Sequence, residues 1–341
     1  MPVRPRPSVA DVARIARVSV GTVSNVLNRP ERVSEGTRER VLAAIEELDF
    51  VPSASARQLR AGVAQTVGAI VLDVGNPFFT LIARGIEDRL EADGLALLVS
   101  SSDDDPARET RFLNLYEQHG VRGVLVTPCG PDLSDFEALR ERGTHVVLMD
   151  ADADSSFPSV SVDDVHGGSL AVGHLVARGH ERIAFVNGPA SIRQCVDRLL
   201  GARAALADAG RSPKDLLEVP ITSLNVESGD DAALRILAMP EDERPTGIFC
   251  VNDLVALGVL RTLLRRGVRV PQDIAVVGYD DISFAGMLMV PLTTIRQPIH
   301  EIGWAAADLL LRQDDRASGP EHVQFTPELV VRMSSDPDAT P

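Results

Sequence analysis

The residues best suited to touching another molecule are gathered between Ser19 and Asn28. With Ser19 as an N-cap, Val23, Val26 and Leu27 form the apolar stripe of a short helix, and Val20, Gly21, Thr22, Ser24, Asn25 and Asn28 face outward. That outer face is slim, polar and free of bulky groups. A second short helix of this kind, following closely on a first, suggests a helix-turn-helix whose second member enters the DNA major groove. An ordinary helical hairpin is the alternative from these residues alone. Catalytic patterns are missing by contrast: there is no Walker loop, dinucleotide glycine fingerprint, Gly-x-Ser-x-Gly or His-Glu-x-x-His, and the seven histidines are scattered. Cys129, Cys195 and Cys250 lie far apart without metal-ligand or redox spacing. The chain is therefore expected not to be an enzyme and to hold no cofactor and no metal.

The elements that must position this face are legible on both sides of it. Upstream, Val9, Val12, Ala13 and Ala16 fall at i, i+3, i+4 and i+7 behind Ser8, the pattern of a capped amphipathic helix. Downstream, a third helix capped by Ser34 carries Val41, Ala44, Ile45 and Leu48, and Phe50-Val-Pro52 ends it. The segment Ser53 to Arg60, stopped by Gly62, is helix-permissive but too short to persist in water unless something packs on it. Residues 1–62 carry ten Arg against seven acids, a net of +3, within a chain of 341 residues whose net charge is −15, so the remainder carries −18. A mildly basic head on a strongly acidic body fits a DNA reader whose second part must not adhere to phosphate.

From Thr66 the pattern changes. Strand candidates are 67–72, 95–99, 123–126, 145–149, 183–186, 247–251 and 274–277, separated by helical stretches such as 79–91, 168–178, 199–209 and 253–265. Continuously apolar strands alternating with helices imply doubly wound parallel sheets covered on both faces. So many units favour two similar α/β lobes, with a ligand in the cleft at the strands' carboxyl ends. No stretch is long enough to span a bilayer and no apolar run follows the basic N-terminus, so a cytoplasmic protein with no membrane partner is expected.

The ordered series Asp11-Val-Ala, Val18-Ser-Val-Gly-Thr-Val-Ser-Asn-Val-Leu-Asn28, Pro52-Ser-Ala-x-Ala-Arg-x-Leu59, Asn76-Pro-Phe-Phe79, Asn252-Asp-x-x-Ala-x-Gly258, Val277-Gly-Tyr-Asp280 and Leu292-Thr-Thr-Ile-x-Gln-Pro298 resembles the LacI/GalR family of bacterial transcriptional regulators. The resemblance implies an N-terminal all-α helix-turn-helix domain (1–51), a hinge helix and linker (52–64), and a periplasmic-binding-protein-like type I sensor (65–335). The sensor's first lobe would take 65–160 and 296–323, its second 161–292 and 324–335, before a disordered tail at 336–341. It further implies a homodimer, with a tetramer also compatible, a pseudo-palindromic double-stranded operator and a small-molecule effector.

Carried over position by position, the base-reading residues are Val20, Gly21 and Asn25, with Leu59 wedged into a minor-groove step and Arg60 following the groove. The chemistry agrees in part. Asn25 can pair a donor and an acceptor with adenine, Val20 offers only apolar contact to a thymine methyl, and Gly21 has no side chain. Ser19, Thr22, Ser24 and Asn28 suit phosphate contacts. Leu59 has a second reading as a core leucine. Effector contacts fall on Asn76, Phe78, Phe79, Asp150, Arg193, Gln194, Arg198, Leu224, Asn252, Asp280 and Gln297. Carboxylates, amides, a guanidinium and aromatic faces together suit a polyol. Taken alone, Asp280 reads equally well as a turn cap, and Phe78 and Phe79 as core.

Two departures narrow the ligand. Leu224 stands where relatives often carry an aromatic stacker, and Ile192 stands where purine-responsive members carry an arginine. The resemblance therefore favours a sugar or sugar derivative controlling a repressor. A sugar-binding receptor or an enzyme sharing the sensor fold is the rival reading.

Overall fold

A computed structural model describes residues 7–50, 64–150, 155–313 and 319–339. The chain divides into two compact units, Met1–Ala64 and Gln65–Pro341. In the first, α1 (Val9–Ala16), α2 (Val20–Asn28) and α3 (Glu35–Glu47) close over one small core. Ser8 and Asp11 form a capping box at α1, each side chain bonding the other's backbone N–H, and Arg17 ends that helix in the left-handed region at φ 55°. Val12, Val23 and Val41, one from each helix, are fully buried. Phe50, which marks the end of the third helix in the sequence, is itself buried in this core. Ser34 occupies the N-cap position of α3, but its hydroxyl donates to Thr37 Oγ1 at 3.0 Å rather than accepting a backbone N–H. The expected Ser34 cap is thus redirected by a nearer hydroxyl.

The second unit contains two six-stranded sheets. Strands β1 (Thr66–Val71), β2 (Ala96–Ser101), β3 (Gly123–Val126), β4 (His145–Met149), β5 (Ser159–Val162) and β11 (His322–Phe325) run parallel in the order β11-β5-β4-β3-β1-β2. The other sheet is built from β6 (Ile183–Asn187), β7 (Leu216–Pro220), β8 (Gly247–Cys250), β9 (Ala275–Asp280), β10 (Thr293–Arg296) and β12 (Glu328–Val330), in the order β12-β10-β9-β8-β6-β7. Only the β10–β12 pairing is antiparallel. The chain crosses between sheets after β5, after β10 and between β11 and β12. Helices cover both faces of the first sheet, which holds one apolar cluster on each side.

The seven strands legible in the sequence are all present; of the five others, β5 alternates serine with valine, and β7, β11 and β12 lie at sheet edges. Three of the four named helices begin earlier than their apolar pattern. Along the chain follow α4 (Pro77–Glu91), α5 (Pro106–His119), α6 (Ser134–Glu141), α7 (Asp164–Ala177) and α8 (Arg193–Asp208); α4 begins at the Asn76 cap with Pro77 and the buried Phe78, whereas α7 and α8 begin with the polar residues Asp164 and Arg193-Gln194. Helices α7 and α8 pack closely because Gly168 faces the Arg198 carbonyl and Gly201 faces the Val165 carbonyl, where a Cβ would collide with backbone. Near the end of the described residues, Asp336 accepts from Arg178 Nη2 at 2.9 Å, and Ser335 just before it is buried.

Candidate functional sites: an exposed helix and an interlobe cleft

In the first unit, α2 presents the face expected of it. Val20 is 46% exposed despite being apolar, and Gly21, Asn25 and Asn28 are also exposed. The polar side chains differ in how far local bonds already satisfy them. Ser19 Oγ accepts from Thr22 N at 3.0 Å and lies 2.9 Å from the Thr22 hydroxyl. Asn28 Nδ2 turns back to the Ser24 carbonyl at 2.8 Å. Ser19 and Asn28 therefore act first as helix stabilisers. The Asn25 carboxamide has no hydrogen bond among the described residues, which leaves its paired donor and acceptor available outward. Leu59 and Arg60 lie outside the described residues.

In the second unit a cavity of about 560 Å³ opens between the two sheets' carboxyl ends. Of the expected contacts, Asn76, Phe78, Phe79, Asp150, Gln194, Arg198, Leu224, Asn252 and Asp280 line it. Two do not. Arg193 bonds Asp197 one helical turn on, at 2.9 Å, an ordinary i,i+4 ion pair. Gln297 is buried and donates from Nε2 to Asp280 Oδ1 at 2.8 Å, so it bears on the cavity only through Asp280.

Local structure explains why these side chains converge. Asn76 caps α4 by accepting from Phe78 N, which starts the helix with both phenylalanines at the cavity wall, edge to face with ring centroids 5.1 Å apart. Asn252 caps the helix Asp253–Arg265 and also donates to the Leu224 carbonyl at 3.1 Å, so its carboxamide braces two loops as well as facing the cavity. Leu224 contributes an apolar wall, as its identity predicts. Asp150 directly follows β4 and Asp280 ends β9, both in left-handed backbone conformations, φ 60° and 113°. Such conformations cost energy in a non-glycine residue and concentrate at functional sites.

Arg198 is held from three sides. Its Nε donates to Asp164 Oδ1 at 2.8 Å, its Nη1 to the Val251 carbonyl at 2.6 Å, and its guanidinium stacks 3.5 Å from the centroid of the Tyr279 ring. Buried carboxylates surround it. Burial, aided by neighbouring Asp164, pushes the Asp150 carboxyl up to about 6, against the pull of Gln194 and Arg198. Burial likewise pushes Asp280 up to about 7, while Arg198 and the Gln297 hydrogen bond oppose it. Both groups can therefore change charge near neutral pH.

Sequence reasoning missed part of the wall: Asp73, Asp103, Asp104, Cys195, Thr222, Ser223 and Asn225. A signal for the acids existed, since Asp103-Asp104-Asp105 lies just beyond the carboxyl end of the 95–99 strand candidate, after Ser100 to Ser102. Nothing local marked Asp164 or Tyr279, which meet Arg198 only through tertiary packing.

Residues 8–53 match the family described as "Bacterial regulatory proteins, lacI family", and residues 172–335 match "Periplasmic binding protein-like domain". The chain is 36% identical over 333 residues to the HTH-type transcriptional repressor PurR of Aliivibrio fischeri (strain MJ11), covering 96% of this chain and 98% of that one. It is also 36% identical over 331 residues to the ribose operon repressor of Escherichia coli (strain K12), covering 96% and 99%. Among solved structures, the lac repressor dimer bound to operator and the anti-inducer ONPF superposes with a TM-score of 0.81 at 28% identity, covering 97% of this chain and 99% of that one.

Proposed function

Because the chain belongs to the lacI family of bacterial regulatory proteins, we propose that it is a homodimeric repressor whose grip on a pseudo-palindromic operator is set by a small carbohydrate bound in the interlobe cleft. The observation that carries this reading is the constellation of Asp150, Arg198 and Asp280 on one cavity with the Phe78–Phe79 pair. Carboxylates accept from vicinal hydroxyls, a guanidinium donates to ring or hydroxyl oxygens, and an aromatic surface covers the apolar side of a sugar ring. Ile192, buried at the same wall, offers no hydrogen bond to a purine, so the purine reading has less support.

The mechanism follows from where these groups sit. Asp150 belongs to the first lobe, and Arg198 and Asp280 to the second. A ligand that bonds both sides at once favours one lobe arrangement over another, and it shifts the population by its differential affinity for the two. In the dimer, lobe arrangement sets the spacing of the two hinges and hence whether both Leu59 side chains reach one minor-groove site. At the operator, Asn25 reads a base, Val20 adds apolar contact, and Ser19, Thr22, Ser24 and Asn28 contact phosphate.

A thermal-shift screen of the full chain against pentoses and hexoses tests the ligand class, because a molecule that binds the native state raises its apparent stability. Stabilisation by a sugar that also alters operator affinity is expected. Stabilisation by nucleobases alone would overturn the carbohydrate assignment.

A further inference from the structure

The cleft is far more acidic than a polyol site requires. Besides Asp150 and Asp280, its wall carries Asp73, Asp103 and Asp104, and Arg198 is the only cationic side chain among the described residues that line it. The Arg198 charge is already answered by buried Asp164 at 2.8 Å. Nearby Arg193 is paired with Asp197 and Arg108 with Asp103, so these two guanidinia bring their own counter-charges. Asp73 accepts from Gly75 N at 2.7 Å, a neutral partner. Asp104 sits at φ 55°, and one of its carboxylate oxygens is buried without a hydrogen-bond partner among the described residues. A buried acceptor left in that state is costly unless a donor reaches it.

Resting on the reading of this cleft as the effector site, we infer that it excludes anionic ligands and takes a donor-rich polyol, with an amine able to replace a hydroxyl at Asp104. A phosphate or carboxylate on the sugar would place like charge beside carboxylates whose few cationic neighbours are already paired, in a partly enclosed space where screening is weak. Hydroxyl or ammonium hydrogens instead meet acceptors on both lobes. The site therefore separates free sugars from their phosphorylated or oxidised derivatives by charge rather than by size, which is rejection built from repulsion. A regulator of this kind responds to a sugar before the kinase or dehydrogenase class of reaction that would consume it.

The potential of the cleft can be measured without knowing the ligand. Exposed Ser223 lies on its wall and the three native cysteines are buried, so S223C adds one accessible thiol to the full chain. Its reaction rates with a cationic trimethylammonium-ethyl and an anionic sulfonate-ethyl methanethiosulfonate are compared, normalised to the same ratio on free cysteine and with wild type as the background control. The cationic reagent should be favoured on the order of tenfold, the scale expected when a charged cleft concentrates counter-ions, and D104N should reduce that preference. A normalised ratio at or below one overturns the inference, and T222C repeats the measurement should S223C fold poorly.

Calorimetry then compares D-ribose with D-ribose 5-phosphate, and D-glucose with D-glucosamine and D-glucose 6-phosphate. Loss of binding on phosphorylation with retention of the amine is the expected result. A phosphorylated sugar binding as tightly as its parent overturns the inference. Failure of every sugar to bind counts against the carbohydrate reading alone, while the thiol ratio still decides the charge of the cleft.

Discussion

The reading head and the cleft use carboxylates in opposite ways. Asp11 in the head is exposed, bonded to Ser8 and Arg14, and those local hydrogen bonds pull its carboxyl down to about 2. Asp280 in the cleft is buried, and burial pushes it up to about 7 despite Arg198 and Gln297. The first holds a helix end together through residues three positions apart, the second is assembled from strands and helices distant in sequence. A local device stabilises its own element and nothing else. A non-local device is poised between states, which is what a ligand-responsive site requires.

The contrast predicts that each function can be removed without the other. D280N keeps the shape of the side chain but removes the acceptor pair, so sugar affinity should fall by about 1.5–3 kcal/mol, the usual worth of a hydrogen bond to a charged group. Calorimetry measures it, and operator binding without ligand should be unchanged. N25A in the head should cost about 1–3 kcal/mol of operator affinity and relax preference at one base pair per half-site, because a paired carboxamide contact is lost. Binding to a set of single-base operator variants checks this, and a uniform loss across all variants would remove Asn25 from base reading. S19A should destabilise the head by about 1 kcal/mol through loss of the α2 cap, visible in thermal unfolding, and should leave sugar binding alone.

The two shifts also carry opposite pH signs. Asp280 and Asp150 have folded values above the ordinary carboxylate value of about 3.8. Their contribution is fully present below that value and is lost as pH rises through about 6 to 7. Asp11, lowered to about 2, contributes above its ordinary value, and that contribution is lost as pH falls through about 2. Calorimetric unfolding should therefore show the sensor's transition falling between pH 5 and 7.5, with D280N flattening the slope, and no matching trend for the head. A neutral sugar donates to charged carboxylates, so its affinity should weaken as pH is lowered through about 7 and then about 6, where Asp280 and Asp150 protonate in turn.

The same contrast governs what could be read from the residues. The head's core and caps follow from spacings of three and four, and Ser8, Ser19, Val12, Val23 and Val41 all stand where those spacings put them. Seven strands were equally legible because their apolar runs are continuous, including the partly exposed edge strand β2. Strands β5, β11 and β12 were not, since three or four residues with polar neighbours carry no period. In the cleft, Asp150 and Asp280 were named only through the resemblance. Asp164 meets Arg198 across 34 residues of chain and Gln297 meets Asp280 across 17, distances no local pattern encodes. Arg193, also named through the resemblance, is outside the cavity wall and bonds Asp197 one turn on.

The central claim is that a ligand in the cleft controls the head. It is tested most directly by the anisotropy of a fluorescent operator, selected from a randomised duplex library, titrated with the full chain in the presence and absence of the sugar identified by thermal shift. The sugar should change operator Kd for wild type and for N25A, and should leave it unchanged for D280N. A sugar that binds wild type without altering operator Kd, or that alters it equally in D280N, would contradict the account.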